Sequence, residues 1–255
     1  METAIEGDQT DNRINSEMGA ASFLIPKREQ QSELLDQEMG SMADVRSNLI
    51  EMWRFNRYFG GIEALTRHLY PLLRQGSQPL RVVDLGTGSG AMGALLAQWA
   101  KQNNRQLVIC ALDKSERNLS VAREKAIDDV HLMRADASAL PFAELQVDYF
   151  ISSLFLHHLS PEEVIGVLRE TYHRARRGIV MSDLVRSNLP LLAFRVIQPI
   201  FARHYLTRHD GPLSIRRAYT PHELRSLAQA AGLETARVYA HFPWRMTLVA
   251  EKPGV

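Results

Sequence analysis

Cysteine is nearly absent from this chain: among 255 residues Cys110 is the single one. One thiol excludes an intrachain disulfide and fits a reducing, cytoplasmic setting. No Cys/His spacing of the metal-binding kind appears either, so no metal is expected. A charge excess of one sign is also missing. Thirty Lys and Arg face 29 Asp and Glu, and a formal net charge of +1 gives no overall field pointing to nucleic acid. Long apolar runs are absent as well. The most apolar stretch, Leu189 to Ala202, is broken by Pro190, Arg195 and Pro199, too interrupted to span a bilayer. The first fifteen residues carry Glu2, Glu6, Asp8 and Asp11 and no apolar run, unlike a signal or transit peptide. What remains is an ordinary globular composition, 45% hydrophobic and 23% charged, long enough for one large domain or a domain with a cap.

Against these absences, one segment is rich in information. Val82-Val83-Asp84-Leu85 is a β-branched run that ends beside an acid and opens into Gly86-Thr87-Gly88-Ser89-Gly90, after which Ala91 to Ala97 reads as a helix. The pattern predicts a buried parallel strand, a tight turn and a helix start. Glycines let a ligand approach the backbone of such a turn, and the helix N-terminus offers N–H groups to an anion. Gly86, Gly88 and Ala91 also satisfy the dinucleotide fingerprint G-x-G-x-x-G/A, so the turn alone leaves a nicotinamide cofactor open.

With Asp84 ahead of the turn and Gly90 as a third alternating glycine, the segment resembles motif I of class I S-adenosylmethionine-dependent methyltransferases. The resemblance covers about residues 80–250. It implies that Asp84, Gly86, Thr87, Gly88 and Gly90 hold the cofactor's amino-acid end. A second apolar run, Gln106 to Leu112, ends in Asp113, followed by Lys114. An acid at the end of a second strand can accept both ribose hydroxyls, or it can cap the helix that follows. Ala135-Asp136-Ala137 with Leu140-Pro141-Phe142 resembles the adenine-contacting segment of small-molecule methyltransferases, which gives Asp136 and Ala137 to the base. Ser153, at the end of a fourth strand, completes the expected cofactor set. Trp53 to Gly61 resembles an R-x-N-R-x-x-G-G element of some bacterial methyltransferases of specialised metabolism, which brings Arg57 near the cofactor carboxylate. A plain helix break at Gly60-Gly61 is the alternative.

The rest of the chain is organised around that core. Residues 1–30 are polar and aperiodic and are expected to form a mobile arm. Residues 31–75 read as a helical cap, with Gln75 to Pro79 as a linker. The domain of residues 76–255 alternates strand and helix, with strands near 81–85, 107–112, 130–133, 147–152 and 178–183. That alternation predicts an α/β, doubly wound, Rossmann-like sheet. Two late strands, near 234–240 and 244–250, are joined so closely that one must run antiparallel. Capping boxes at Ser160-Pro161-Glu162-Glu163 and Thr220-Pro221-His222-Glu223 mark helix starts. Residues 184–219 form an insertion, read as an apolar helical lid or as a homodimer interface.

The acceptor should meet the methyl group past the fourth strand, at Ser152-Ser153-Leu154-Phe155-Leu156-His157-His158. This run is similar to that of quinone-type methyltransferases. His157 and His158 are the candidate general bases, because imidazole titrates near neutrality. They can equally be packing residues ahead of the helix at Ser160. Asp183, ending the fifth strand, can orient a His or the substrate, or pair with Arg186 or another nearby Arg. The expected activity is methyl transfer from S-adenosylmethionine to the oxygen or carbon of a small, largely apolar acceptor. The alternatives are an NAD(P)-dependent oxidoreductase and a non-catalytic cofactor-binding interaction protein.

Overall fold

Strand β1, Leu80–Leu85, has every side chain buried except that of Arg81. Such a strand needs a covering layer on both faces, and the surrounding elements supply one. The computed structural model describes residues 25–75, 79–125 and 129–253. Around β1 lie β2 (Leu107–Asp113), β3 (Val130–Arg134), β4 (Val147–Ser153), β5 (Ala175–Leu184), β6 (Arg237–His241) and β7 (Arg245–Glu251). Their order across the sheet is β3-β2-β1-β4-β5-β7-β6. The first five pair in parallel, while β7 runs antiparallel to both β5 and β6. The tight link from His241 to Arg245 leaves no room for a crossover, so the reversal follows from its length. The strand order turns around between β1 and β4, which opens a crevice at their carboxyl ends.

Helices α1 (Met42–Tyr58) and α2 (Gly61–Leu73) precede the sheet. Gly60 separates them at φ +75°, and a Cβ on Gly61 would stand 1.7 Å from Asn56 Oδ1. The two glycines are therefore what lets α2 turn back under α1. Within residues 31–75, read as a helical cap, the first helix, α1, begins only at Met42. Asp210 accepts from the Leu34 and Leu35 N–H groups and Ser214 donates to the Glu33 carboxylate, so these residues are tied across the fold, and locally they form only a turn, closed by Gln37, Glu38 and Met39. The arm expected over residues 1–30 lies outside the described residues as far as residue 24. Residues 26–30 are not free. Arg186 donates to the Pro26 carbonyl at 2.9 Å, Arg28 donates to the Arg217 carbonyl at 2.6 Å, and the Glu29 N–H bonds the Arg216 carbonyl.

Helix α2 packs directly on the sheet. Leu65, Leu69 and Leu73 meet Leu80, Val82, Tyr149 and Val180, together with Leu96 and Trp99 of α3 (Ala91–Gln102). On the other face Phe150, Ile179 and Leu248 pack against Val164 and Leu168 of α5 (Pro161–Arg174) and Leu224 of α8 (Pro221–Ala230). Burying each such side chain contributes about 1.5–3 kcal/mol. Between β2 and β3 lies α4 (Glu116–Glu124). The insertion after β5 forms α6 (Asn188–Phe201) and α7 (Tyr205–Arg217). Cys110 lies in β2, where burial first and the Asp84 charge second push its thiol up to about 11.

Both expected capping boxes form, at Ser160 with Glu163 and at Thr220 with Glu223. Replacing Ser160 or Thr220 by Ala should therefore cost about 0.5–2 kcal/mol each. Urea unfolding measures this, and an unchanged midpoint would rule out a stabilising cap.

Candidate active site

The crevice above β1 and β4 is built on its floor by the glycine turn. Gly86, Gly88 and Gly90 all have positive φ, +65°, +56° and +69°. At Gly86 a Cβ would sit 2.5 Å from the Phe155 ring, so the turn is pressed against the segment that follows β4. Gly90 is the N-cap of α3 and supplies no side-chain cap, so the first N–H groups of that helix suit an anionic group. Thr87 donates to Asp84 at 2.6 Å. Burial pushes the Asp84 carboxyl up to about 7, against the Thr87 bond and helped by the neighbouring Asp113 charge.

Asp113 closes one side. Its Oδ2 accepts the Gly88 N–H and its Oδ1 the Ser115 N–H, both at 2.8 Å. Burial raises its pKa, while these bonds and Asn118 work against the shift. The helix-start alternative thus holds in part: Ser115 is the N-cap of α4, and Asp113 braces it. Each carboxylate oxygen carries two lone pairs, so accepting from the backbone leaves acceptor capacity. Asp136 is exposed, and its carboxylate accepts from Ser138 N–H and Oγ at 2.8 and 2.7 Å.

The cavity between these parts holds about 400 Å³. It brings together Asp84, Gly86, Thr87, Gly88, Asp113, Lys114, Asp136, Ala137 and Ser153 of the expected cofactor set, and also His158. The rest of its lining includes Leu35, Asp36, Leu49, Met52, Trp53, Asn56, Phe155 and Leu159. Gly90 is not on the lining. Arg57 is a correction: it is exposed and away from the cavity. On α1 the stripe of Leu49, Met52, Trp53 and Asn56 faces inward, and Arg57 stands about 100° past Asn56 around the helix. Asn56 is the residue that enters, donating to Ser153 Oγ at 3.0 Å. No residue of the 184–219 insertion lines the cavity.

The two histidines have different surroundings. His157 is fully buried and off the cavity. Its Nδ1 donates to Asp183 Oδ1 at 2.7 Å and its backbone N–H to Asp183 Oδ2 at 3.0 Å. Asp183 thus orients a histidine, and Arg186 pairs instead with Glu223 at 2.5 Å. Glu33 Oε1 lies 3.6 Å from His157 Nε2. His158 is on the cavity wall, with its side chain 19% exposed and Nδ1 bonded to Asp36 at 2.9 Å. Burial disfavours its charge, but Glu33 and then Asp36 outweigh burial and raise its pKa to about 9. Asp36 is correspondingly held at about 2, where the His158 bond overcomes burial. Glu33, Asp36 and Asn56 escaped the sequence reading. Asn56 was within the R-x-N-R element, but nothing local marks the two acids.

A mixed seven-stranded sheet with an antiparallel β7 and a glycine cradle at its switch point defines a class I methyltransferase architecture. The chain is an S-adenosylmethionine-dependent methyltransferase, and its residues 82–178 match the family described as "Methyltransferase domain". It is 27% identical over 165 residues to a demethylmenaquinone methyltransferase of Roseiflexus castenholzii, covering 60% of this chain and 67% of that protein. Solved structures share the fold. A methyltransferase from Aquifex aeolicus superposes with a TM-score of 0.55 at 16% identity, over 84% of this chain and 99% of that one. The magnesium protoporphyrin IX methyltransferase of Synechocystis, with bound SAH, gives 0.52 at 20%, over 76% and 83%. Human N-acetylserotonin methyltransferase, in complex with SAM, gives 0.59 at 15%, over 84% and 57%. The nicotinamide reading left open by the glycine spacing is thereby set aside. No helix among the described residues is long and apolar enough to cross a membrane.

His157→Ala should lower stability by about 3–5 kcal/mol, because it strips a buried carboxylate of its partner. Burial opposes ionisation of Asp183, yet the His157 charge and bonds hold its pKa below the ordinary 3.8. That contribution is therefore present above about pH 3.8 and is lost as pH falls through the lowered value. Urea titrations of wild type and variant at pH 7 check this; equal midpoints would exclude it.

Proposed function

We propose that this chain methylates the oxygen or carbon of a small, largely apolar acceptor. The observation that carries this reading is the apolar part of the cavity lining. Leu35, Leu49, Met52, Trp53, Phe155 and Leu159 make an apolar surface, and His158, with its partner Asp36, and Asn56 are polar groups set among them. Such a surface suits a ring or chain with one polar substituent. The relatives lend support, since their names include demethylmenaquinone, a porphyrin and N-acetylserotonin.

When bound, S-adenosylmethionine supplies a methyl group activated by its sulfonium. The residues of the chain fit it. The glycine turn leaves space beside the backbone, and at Gly88 a Cβ would approach only Leu49, at 3.3 Å. In this reading Asp84, Thr87 and Gly88 surround the amino-acid end, and Gly90 starts the helix that faces it. Asp113, with Lys114 beside it, accepts from the ribose. Asp136 and Ala137 meet the adenine. Asn56 and Ser153 stand between the cofactor and acceptor halves. Holding nucleophile and methyl group in line contributes up to about 7–11 kcal/mol in well-oriented reactions. His158 takes the acceptor's proton, and His157 acts through position, fixing the turn that presents His158.

Two outcomes test this reading. Asp113→Ala should weaken S-adenosylmethionine binding by about 1.5–3 kcal/mol, roughly ten- to a hundredfold in Kd by calorimetry. Asp113→Asn keeps the shape and should recover part of the loss; wild-type affinity in both would refute the ribose assignment.

His158→Ala should lower kcat about 10²–10⁴-fold while leaving cofactor affinity unchanged. Only neutral His158 accepts a proton, and its pKa is raised to about 9. The wild-type rate should accordingly climb with pH through about 9, and the variant should lose that limb. A wild-type limb near 6.5, or none, would contradict a base held by Glu33 and Asp36.

A further inference from the structure

Helix α6 is apolar around nearly its whole circumference. Its inner side is accounted for. Phe194 packs on Phe55 with ring centroids 5.2 Å apart, and Leu191 joins the same cluster. Its outer side is not. Leu189, Leu192, Val196 and Ile200 are 49%, 62%, 70% and 62% exposed. Their spacing of three, four and four residues puts them on one stripe. A helix that is hydrophobic on all sides belongs in a buried setting, and here half of it faces outward.

The charges around the stripe identify what covers it. From Leu184 to His209 the chain has no Asp or Glu, while it carries Arg186, Arg195, Arg203 and Arg208. Arg186 is buried in its bond to Glu223; Arg195, Arg203 and Arg208 are exposed. Arg54 and Arg57 of α1 are exposed beside the same end, with the Arg54 guanidinium 5.7 Å from the Phe201 ring. An apolar stripe edged by arginines complements an anionic, apolar-cored surface. A second copy of the chain fits poorly. A two-fold contact through the stripe would set Arg195 and Arg203 of both copies against each other, with no acid in the stretch to answer them.

We propose that the outer face of α6 seats this protein on an anionic lipid surface, with the helix lying in the plane of the headgroups. No residue of α6 lines the cavity, so the docking face is separate from the methyl-transfer site and does not depend on the acceptor's identity. The test is flotation with vesicles of phosphatidylcholine containing about one-third phosphatidylglycerol, and with phosphatidylcholine alone. Wild-type protein should float with the anionic vesicles, and binding should fall as salt is raised. Leu192→Glu with Val196→Glu should reduce it about tenfold or more, and Arg195→Gln should reduce the preference for phosphatidylglycerol. Circular dichroism and S-adenosylmethionine affinity of the variants should match wild type, since the changed side chains are exposed. Wild type left at the bottom of the gradient, or the double variant floating equally well, would overturn the proposal. So would light scattering that shows a wild-type dimer converted to monomer by the double variant, which would make the face a self-interface.

Discussion

The His158 end of the cavity hangs on the buried pair of His157 and Asp183. Asp183 ends β5, and His157 belongs to the 3₁₀ turn Leu156–His158 that leaves β4. One carboxylate therefore receives both the ring and the backbone of the same histidine. A turn so short cannot satisfy its own carbonyls, and arginines do it instead. Arg217 donates to the carbonyls of His157 and His158, and Arg28 donates to that of Leu159, which Tyr219 also reaches. Fixing the turn fixes the direction of His158. Removing water from these groups makes each bond stronger and each missing bond more costly.

The two halves of the cavity are held by different kinds of contact. The half around the glycine turn is made by strand ends and the turns directly after them, so neighbours in sequence are neighbours in space. The half around His158 is assembled from afar. Glu33 is held by Ser214, Leu34 and Leu35 by Asp210, and Asp36 by His158. The apolar wall comes from α1, which is tied to the insertion through Asn48 with Thr207 and Glu51 with the backbone of Arg203 and His204. The insertion thus acts behind the wall, bracing it, while its own outer side faces away.

That division explains what could be read from the residues alone. Val82 to Leu85 is buried on both faces and Gln106 to Leu112 is a near-continuous apolar run, buried over its second half, and both announce themselves as strands. The glycine turn, Asp113 and both capping boxes are local grammar, and each is found at its expected place. The misreadings fall where the partner is distant or the phase is fine. Residues 32–36 have helical composition, yet Asp210 and Ser214 draw their polar groups elsewhere. Arg57 is one residue from Asn56, and a helix turns far enough in one step to take it out of the cavity. His157 and His158 look equivalent in sequence, and only the end of β5 tells which is buried.

The long-range closure at Glu33 also sets an order of assembly. Its bond to Ser214 spans 181 residues. During synthesis the segment carrying Glu33 and Asp36 emerges early, and it must wait for almost the entire chain before its anchors exist. At about 5–20 residues per second that interval is on the order of ten seconds or more. The strand–turn–helix elements that make the glycine cradle are complete well before then. A nascent chain therefore gains its glycine turn first and the cavity's acidic edge last, so the surroundings of His158 are completed as a late event of folding.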